Sequence, residues 1–222
     1  MDKTDAPNSG QVEYWNTAVG ETWAELQDQM DRQLRPLGEA GIRALAPQLG
    51  EAILDIGCGC GDTTLSLAGA VSPGGSVLGA DISEPMLAIA RARAGQAQAS
   101  FLLADVQTAA LGEARFDAAF SRFGVMFFAD PVVAFANIRR SLKPGGRLTF
   151  VCWRPAAENA WMSVPLEAAR PLLPPLPETD PTAPGPFAFA DSGRVAGILE
   201  AAGFTSVRLS PFDMLIGSGD LA

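Results

Sequence analysis

Residues 53–64 read Ile-Leu-Asp-Ile-Gly-Cys-Gly-Cys-Gly-Asp-Thr-Thr, and no other stretch of the chain narrows its folding as much. A short apolar run suited to a buried strand meets glycine at every second position, and a helical pattern follows. Glycine lets the backbone turn sharply and lets a ligand lie against amides at a helix amino terminus. Strand, glycine turn and helix in that order open a βαβ unit. In open α/β sheets such units bind ligands outside the carboxyl ends of the strands.

The downstream sequence keeps that rhythm. From Ala52, short apolar runs alternate with helical segments: AILDI, TTLSLAGAV, SVLGADI, PMLAIARARA, SFLLAD, FDAAFS, VVAFANIRRSL and GRLTFVCW. Strands alternating with helices of this length predict an α/β fold with a doubly wound, mostly parallel sheet and right-handed crossovers. Ser83 suits the cap of a helix starting near Pro85, and Pro131 suits a first turn after Asp130. The turn Pro144-Gly145-Gly146 ends that helix and leads into the next strand. Ahead of the sheet, Trp15, Trp23, Leu26, Met30, Leu34, Leu37, Ile42 and Leu45 recur at near-helical spacing. They predict two or three helices interrupted at Pro36, forming an N-terminal helical cap over residues 11–48.

Residues 155–186 carry nine prolines together with Trp161 and Met162, so residues 154–189 are either a surface linker or a folded cover. A helix is expected near residues 192–202, and the run FTSVRLSPFDMLIG reads as a sixth strand. With 222 residues, the chain can bury about 70% of its unfolded surface in one domain. Residues 51–153 and 190–216 form its core.

Charge and composition remove whole classes of function. Twenty-five acids against sixteen bases give a net charge of -9. With a pI near 4.5, nucleic acid or an anionic membrane is not expected as a diffuse partner, because phosphate binding needs a basic face, and only a local basic pocket stays open. No apolar run reaches the roughly 18 residues of a membrane span, and the amino terminus is polar, so a cytoplasmic protein is expected. There is no histidine. Its absence takes away the usual general base, the Ser-His and Cys-His pairs and the commonest metal ligand. Cys58, Cys60 and Cys152 have no CxxC spacing, so neither a disulfide framework nor a metal site is expected.

The glycine loop departs from the dinucleotide fingerprint G-x-G-x-x-G, since its third glycine comes one residue early and Asp62 takes the sixth place. Asp55 and Asp62 flank the loop. They would repel a diphosphate and attract an ammonium group. Asp81 ends the second strand 24 residues after Gly57, where an acid accepts both hydroxyls of a ribose. Asp105 ends the third strand, in reach of the exocyclic amine of adenine, with Ile82 and Val106 beside the ring. The constellation points to a nucleoside that carries an amine and no phosphate.

On these residues the chain resembles the class I S-adenosylmethionine-dependent methyltransferases, whose fold is Rossmann-like. The matching segments are LDIGCGCG, VLGADIS, LLADV, FDAAFSRFGVMFF and LKPGGRL. It is similar to a bacterial subgroup through SRFGVMFFADP, Trp15-Asn16, Asn159-Ala160-Trp161 and PGPFAFAD at 184–191. The resemblance implies S-adenosylmethionine as cofactor, with Gly57, Gly59 and Gly61 approaching it and Asp55 beneath the loop. It further implies ribose on Asp81, adenine on Asp105 and Val106, and the transferable methyl facing Ser121 and Phe123. Such enzymes usually insert a seventh strand antiparallel between the fifth and sixth. Nothing in this chain supplies one, so that strand is expected to be missing and the chain to be shorter than its relatives.

The chemistry implied is in-line methyl transfer to a small-molecule acceptor, which depends on alignment and exclusion of water. For a hydroxyl acceptor, Tyr14, Asp130 and Glu158 are the candidate bases; a carbon or nitrogen nucleophile needs none. Trp15, Trp23 and Trp161 are candidate walls of an apolar acceptor pocket. Two other readings stand beside this one: a catalytically silent S-adenosylmethionine-binding regulatory or assembly protein, and an NAD-dependent oxidoreductase, which the glycine spacing disfavours. The acceptor and the oligomeric state stay open.

Overall fold

The computed structural model describes residues 7–174 and 180–216. Three helices lead the chain, α1 (Ser9–Trp15), α2 (Ala18–Glu25) and α3 (Gln27–Leu45). The α/β core follows as β1 (Ala52–Ile56), α4 (Asp62–Val71), β2 (Ser76–Asp81), α5 (Glu84–Ala94), β3 (Ala99–Leu103) and β4 (Phe116–Arg122). It continues through α6 (Pro131–Ser141), β5 (Leu142–Val151), α7 (Ala160–Ala169) and α8 (Ser192–Ala201). The strands form one parallel sheet in the order β3-β2-β1-β4-β5. Winding runs outward from β1 to β3 and then jumps to β4 on the far side of β1. That reversal opens a crevice at the carboxyl ends of β1 and β4.

Both faces of the sheet are covered over its central strands β1, β2 and β4, which is why these read as nearly continuous apolar runs. Ile53, Val77, Ala118 and Phe120 pack on one face with Leu45 of α3 and Leu67 and Val71 of α4. Leu54, Ile56, Leu78, Ala80 and Ala119 pack on the other with Phe135 and Ile138 of α6 and Val195 and Ile198 of α8. Helix starts follow the expected capping: Ser83 precedes α5 and accepts from the Met86 N–H, and Asp130 precedes α6 and accepts from the Val133 N–H at 3.0 Å. Among the described residues no helix is long and apolar enough to cross a membrane.

Three local expectations are corrected. Pro36 does not interrupt the cap, because α3 runs through it from Gln27 to Leu45. The helix loses one backbone bond there, and burial of Leu34, Leu37 and Leu45 holds it against the sheet. Gly41 permits that contact, since a Cβ there would stand 2.8 Å from Val151 and 2.9 Å from Phe120. The fifth strand begins at Leu142, which pairs with Phe116, so Pro144-Gly145-Gly146 lies within its span as a register shift. The sixth strand is not formed among residues 204–216. Phe204 and Val207 pack on the core beside α6 and α8, so their apolar pattern serves packing and no ladder, and Pro211 has no N–H to donate to one.

Candidate functional site

β1 ends in the glycine loop, where Gly57 (φ 64°), Gly59 (φ 53°) and Gly61 (φ 86°) all have left-handed backbones. Gly57 has a further constraint. A Cβ on it would stand 2.6 Å from the Gly124 Cα, so the loops after β1 and β4 touch backbone to backbone. Ser121 braces this contact by donating to the Ile56 carbonyl at 2.8 Å and accepting from the Gly124 N–H at 3.2 Å. It is fully buried and does not line the crevice. Gly61 also faces away from it, toward Ala90 and Phe101.

Beneath the loop, Asp55 is wholly buried and accepts from the hydroxyls of Thr63 and Thr64 at 2.7 and 2.6 Å. Burial pushes its pKa up to about 6 against the pull of those two hydroxyls. Asp81 ties the end of β2 to the loop: Gly59 N–H donates to one oxygen at 2.8 Å, and Ser83 N–H donates to the other at 2.9 Å. Burial raises its pKa too, partly offset by those bonds. Asp105 follows β3 and accepts from the Gln107 N–H at 2.9 Å, while its second oxygen is buried with no hydrogen-bond partner. Desolvation again raises the pKa. Asn137 of α6 fastens the loop carrying Asp105 by donating to the Val106 and Ala109 carbonyls at 2.8 and 2.9 Å.

These elements enclose a cavity of about 410 Å³ at the carboxyl edge of the sheet. Gly57, Gly59, Asp81, Ile82, Asp105 and Val106 line one part of it, and Phe123, Trp15, Trp23 and Trp161 also contribute. Trp15 meets Trp23 and Phe127 edge-on at 6.0 and 5.2 Å. Phe123, held at φ 66°, stacks on Trp153 at 4.2 Å, and Trp153 in turn meets Trp161 at 5.3 Å. Met162 and Pro186, from the proline-rich region, line the cavity as well.

The three candidate bases lie outside this lining. Tyr14 is half-exposed beside Trp15, Asp130 caps α6, and Glu158 pairs with Arg154 at 3.3 Å. Cys58 and Cys60 do line it, but burial raises both thiols, Cys60 to about 11, so neither is a ready nucleophile at neutral pH.

Sequence reasoning missed a buried ion cluster beside the loop. Asp31 of α3 and Asp62 of α4 share Arg122, at 3.5 and 3.1 Å, and Arg93, at 3.1 and 3.8 Å, while Arg35 adds a 2.9 Å pair to Asp62. Asp62 is thus neutralised by arginines and is no open negative charge beside a ligand. Helical spacing could not pair residues 31, 62, 93 and 122, which come from four elements. Trp153 had a readable signal, since it follows the fifth strand at the edge where the other strands place their ligand groups. Asn8, nine-tenths buried in the lining, had none within its polar tail.

The nucleoside cofactor inferred from the sequence fits these groups. The Asp105 oxygen with no close donor is an acceptor suited to an amine, the buried carboxylates favour a cationic ligand, and the arginine in the lining, Arg122, is paired to Asp31 and Asp62 and so offers no cradle for a diphosphate.

Comparison with known proteins gives the same assignment. Residues 53–146 match a family described as "Methyltransferase domain". The chain is 36% identical over 141 residues to the O-methyltransferase cnsE of Penicillium expansum, covering 62% of this chain and 48% of that protein. It is 33% identical over 184 residues to a demethylmenaquinone methyltransferase of Clavibacter sepedonicus, covering 76% of this chain and 71% of that one. A crystal structure of a SAM-dependent methyltransferase from Aquifex aeolicus shares the fold with a TM-score of 0.57 at 21% identity, over 75% of this chain and 78% of that one. The chain spans about half the length of its fungal relative. The sheet order, the glycine turn and a third of the residues held in common with a relative along most of its length make this chain a member of the class I S-adenosylmethionine-dependent methyltransferases.

Proposed function

We propose that the chain binds S-adenosylmethionine at the carboxyl edge of the sheet and methylates a small, apolar, ring-bearing acceptor. The observation that carries this reading is one cavity lined both by the carboxylates Asp81 and Asp105 and by the rings of Trp15, Trp23, Phe123, Trp153 and Trp161. Asp81, already bonded to two N–H groups, keeps lone pairs for ribose hydroxyls, and Asp105 keeps a whole oxygen for the adenine amine. The bound cofactor supplies an electrophilic methyl on a sulfonium. The chain's own task is to align an acceptor, strip its water and lower the dielectric around it, which the aromatic lining does.

Relatives named as an O-methyltransferase and a demethylmenaquinone methyltransferase support a small-molecule acceptor, with oxygen the methylated atom in the first name and a quinone in the second. Because Tyr14, Asp130 and Glu158 lie off the lining, the reading favours an acceptor acidic enough to ionise unaided, such as a phenol or an enol.

Isothermal titration of the full chain is expected to give heat with S-adenosylmethionine and S-adenosylhomocysteine and none with NAD. Labelled methyl is then expected in quinols or phenols from a mixed acceptor panel. Heat with NAD alone overturns the cofactor, and label confined to charged amines overturns the acceptor class.

A further inference from the structure

Asn8 precedes α1 in the position where an asparagine ordinarily caps a helix, with its side chain accepting from the first turn. Here it does not cap. Its backbone carbonyl accepts from the Gln11 and Val12 N–H groups, whereas its side chain makes no cap bond. The side chain turns into the cavity, where the residue is 9% exposed and its Oδ1 has no hydrogen-bond partner among the described residues. The backbone holds φ 69° and ψ 9°, a left-handed conformation that asparagine tolerates better than most residues. The Asn8 amide N–H also donates to the Asp105 carboxylate and draws its pKa down, against the larger upward effect of burial.

Asn8 Oδ1 and Asp105 Oδ2 are thus buried acceptors with no close donor, on two side chains that the Asn8 amide brings together. Leaving even one such atom unsatisfied is costly, so the pair is suited to a ligand that brings two N–H donors on one atom. We infer that Asn8 is a specificity residue for the cofactor's base, accepting one N–H of the adenine amine while Asp105 accepts the other. This rests on the S-adenosylmethionine reading and adds to it a contact from the N-terminal helices. The two acceptors select for the amine actively. A carbonyl oxygen in its place would face both of them with no proton to share.

The N-terminal segment is positioned for this. Asn16 donates to the Ile82 carbonyl at 2.7 Å and accepts from the Glu84 N–H at 3.0 Å, and Ser83 donates to the Trp15 carbonyl at 2.8 Å. These bonds fix the far end of α1 to the end of β2, immediately beside the site of Asp81.

The test compares S-adenosylhomocysteine with its hypoxanthine analogue, in which the amine is replaced by oxygen, by titration calorimetry on the full chain. The parent is expected to prefer the amine compound by about a hundredfold. Asn8→Gly keeps the left-handed backbone and removes the acceptor, and is expected to cut that preference about five- to tenfold, in line with one lost hydrogen bond. Asn8→Asp keeps an acceptor and is expected to retain it. Melting curves without ligand, expected to match the parent, separate the effect from folding. A preference unchanged in Asn8→Gly, with the parent still binding S-adenosylhomocysteine, overturns the role of Asn8 alone. A parent that binds neither compound overturns the cofactor reading and this inference with it.

Discussion

Asp55 shows what a sealed carboxylate costs. Its two threonine partners favour the ionised form, yet burial prevails and leaves the pKa near 6, against an ordinary 3.8. A gap of about two units corresponds to roughly 3 kcal/mol. The folded pKa is the higher one, so the unfolded chain releases this proton first as pH rises. Stability from this group is therefore greatest below pH 4 and declines through the window up to about pH 6. Asn retains an oxygen for both threonines and does not titrate. In urea unfolding from pH 4 to pH 7, the parent's change in stability is expected to exceed that of Asp55→Asn by about 3 kcal/mol. Parallel curves for the two proteins would sink this account. That Asp55 belongs under the loop was legible from its place before Gly57. That its partners are Thr63 and Thr64 depends on how α4 folds back over β1, which spacing does not state.

Between elements, the ion cluster ties α3 to α4, α5 and β4, in addition to the apolar contacts of Leu34, Leu37 and Leu45. Asp31 and Asp62 are each 7% exposed at the side chain and Arg122 13%, so this group is far from the solvated surface pairs that contribute little. Removing one partner of a buried pair leaves an uncompensated charge, at a cost of about 3 kcal/mol. For a chain of this size that lowers the Tm of Arg122→Met by roughly 6–12 °C. Arg35→Met, losing a side chain that is 51% exposed, is expected to shift it by less than about 3 °C. Equal shifts in thermal unfolding would show that burial does not rank these pairs. The same scale explains what could and could not be read in advance. Parallel strands buried on both faces announce themselves by composition, so β1, β2 and β4 were legible along with the helices between the strands, and the half-exposed edge strand β3 was legible from its apolar run alone. Residues 204–216 also alternate, but alternation reports one buried face and names no strand to pair with. Pro36 likewise signals a break that tertiary packing of α3 overrides.

In the molecule as a whole, the N-terminal helices differ sharply in how firmly they are held. α3 buries Leu34, Leu37 and Leu45 and carries the cluster at Asp31. α1 buries no residue and α2 buries only Gly20, so both depend on Trp15 and on the bonds at Asn16 and Ser83. Segments with few buried contacts open well before the rest unfolds. Leu26, where α2 ends and α3 begins, is the expected hinge of such an opening. Since Asn8, Trp15 and Trp23 line the cavity, that opening is also the expected exit for whatever occupies it. The two bonds at Asn16 then act as a latch with a lifetime. In stopped flow, following tryptophan fluorescence, Asn16→Ala is expected to release S-adenosylhomocysteine about tenfold faster than the parent, consistent with about 1.4 kcal/mol of lost hydrogen bonding. An unaltered off-rate would mean that departure follows another route. A protein held this way sets how long its occupant stays at the few bonds from Asn16 and Ser83 that tie α1 to the end of β2, beside the cavity rather than in it.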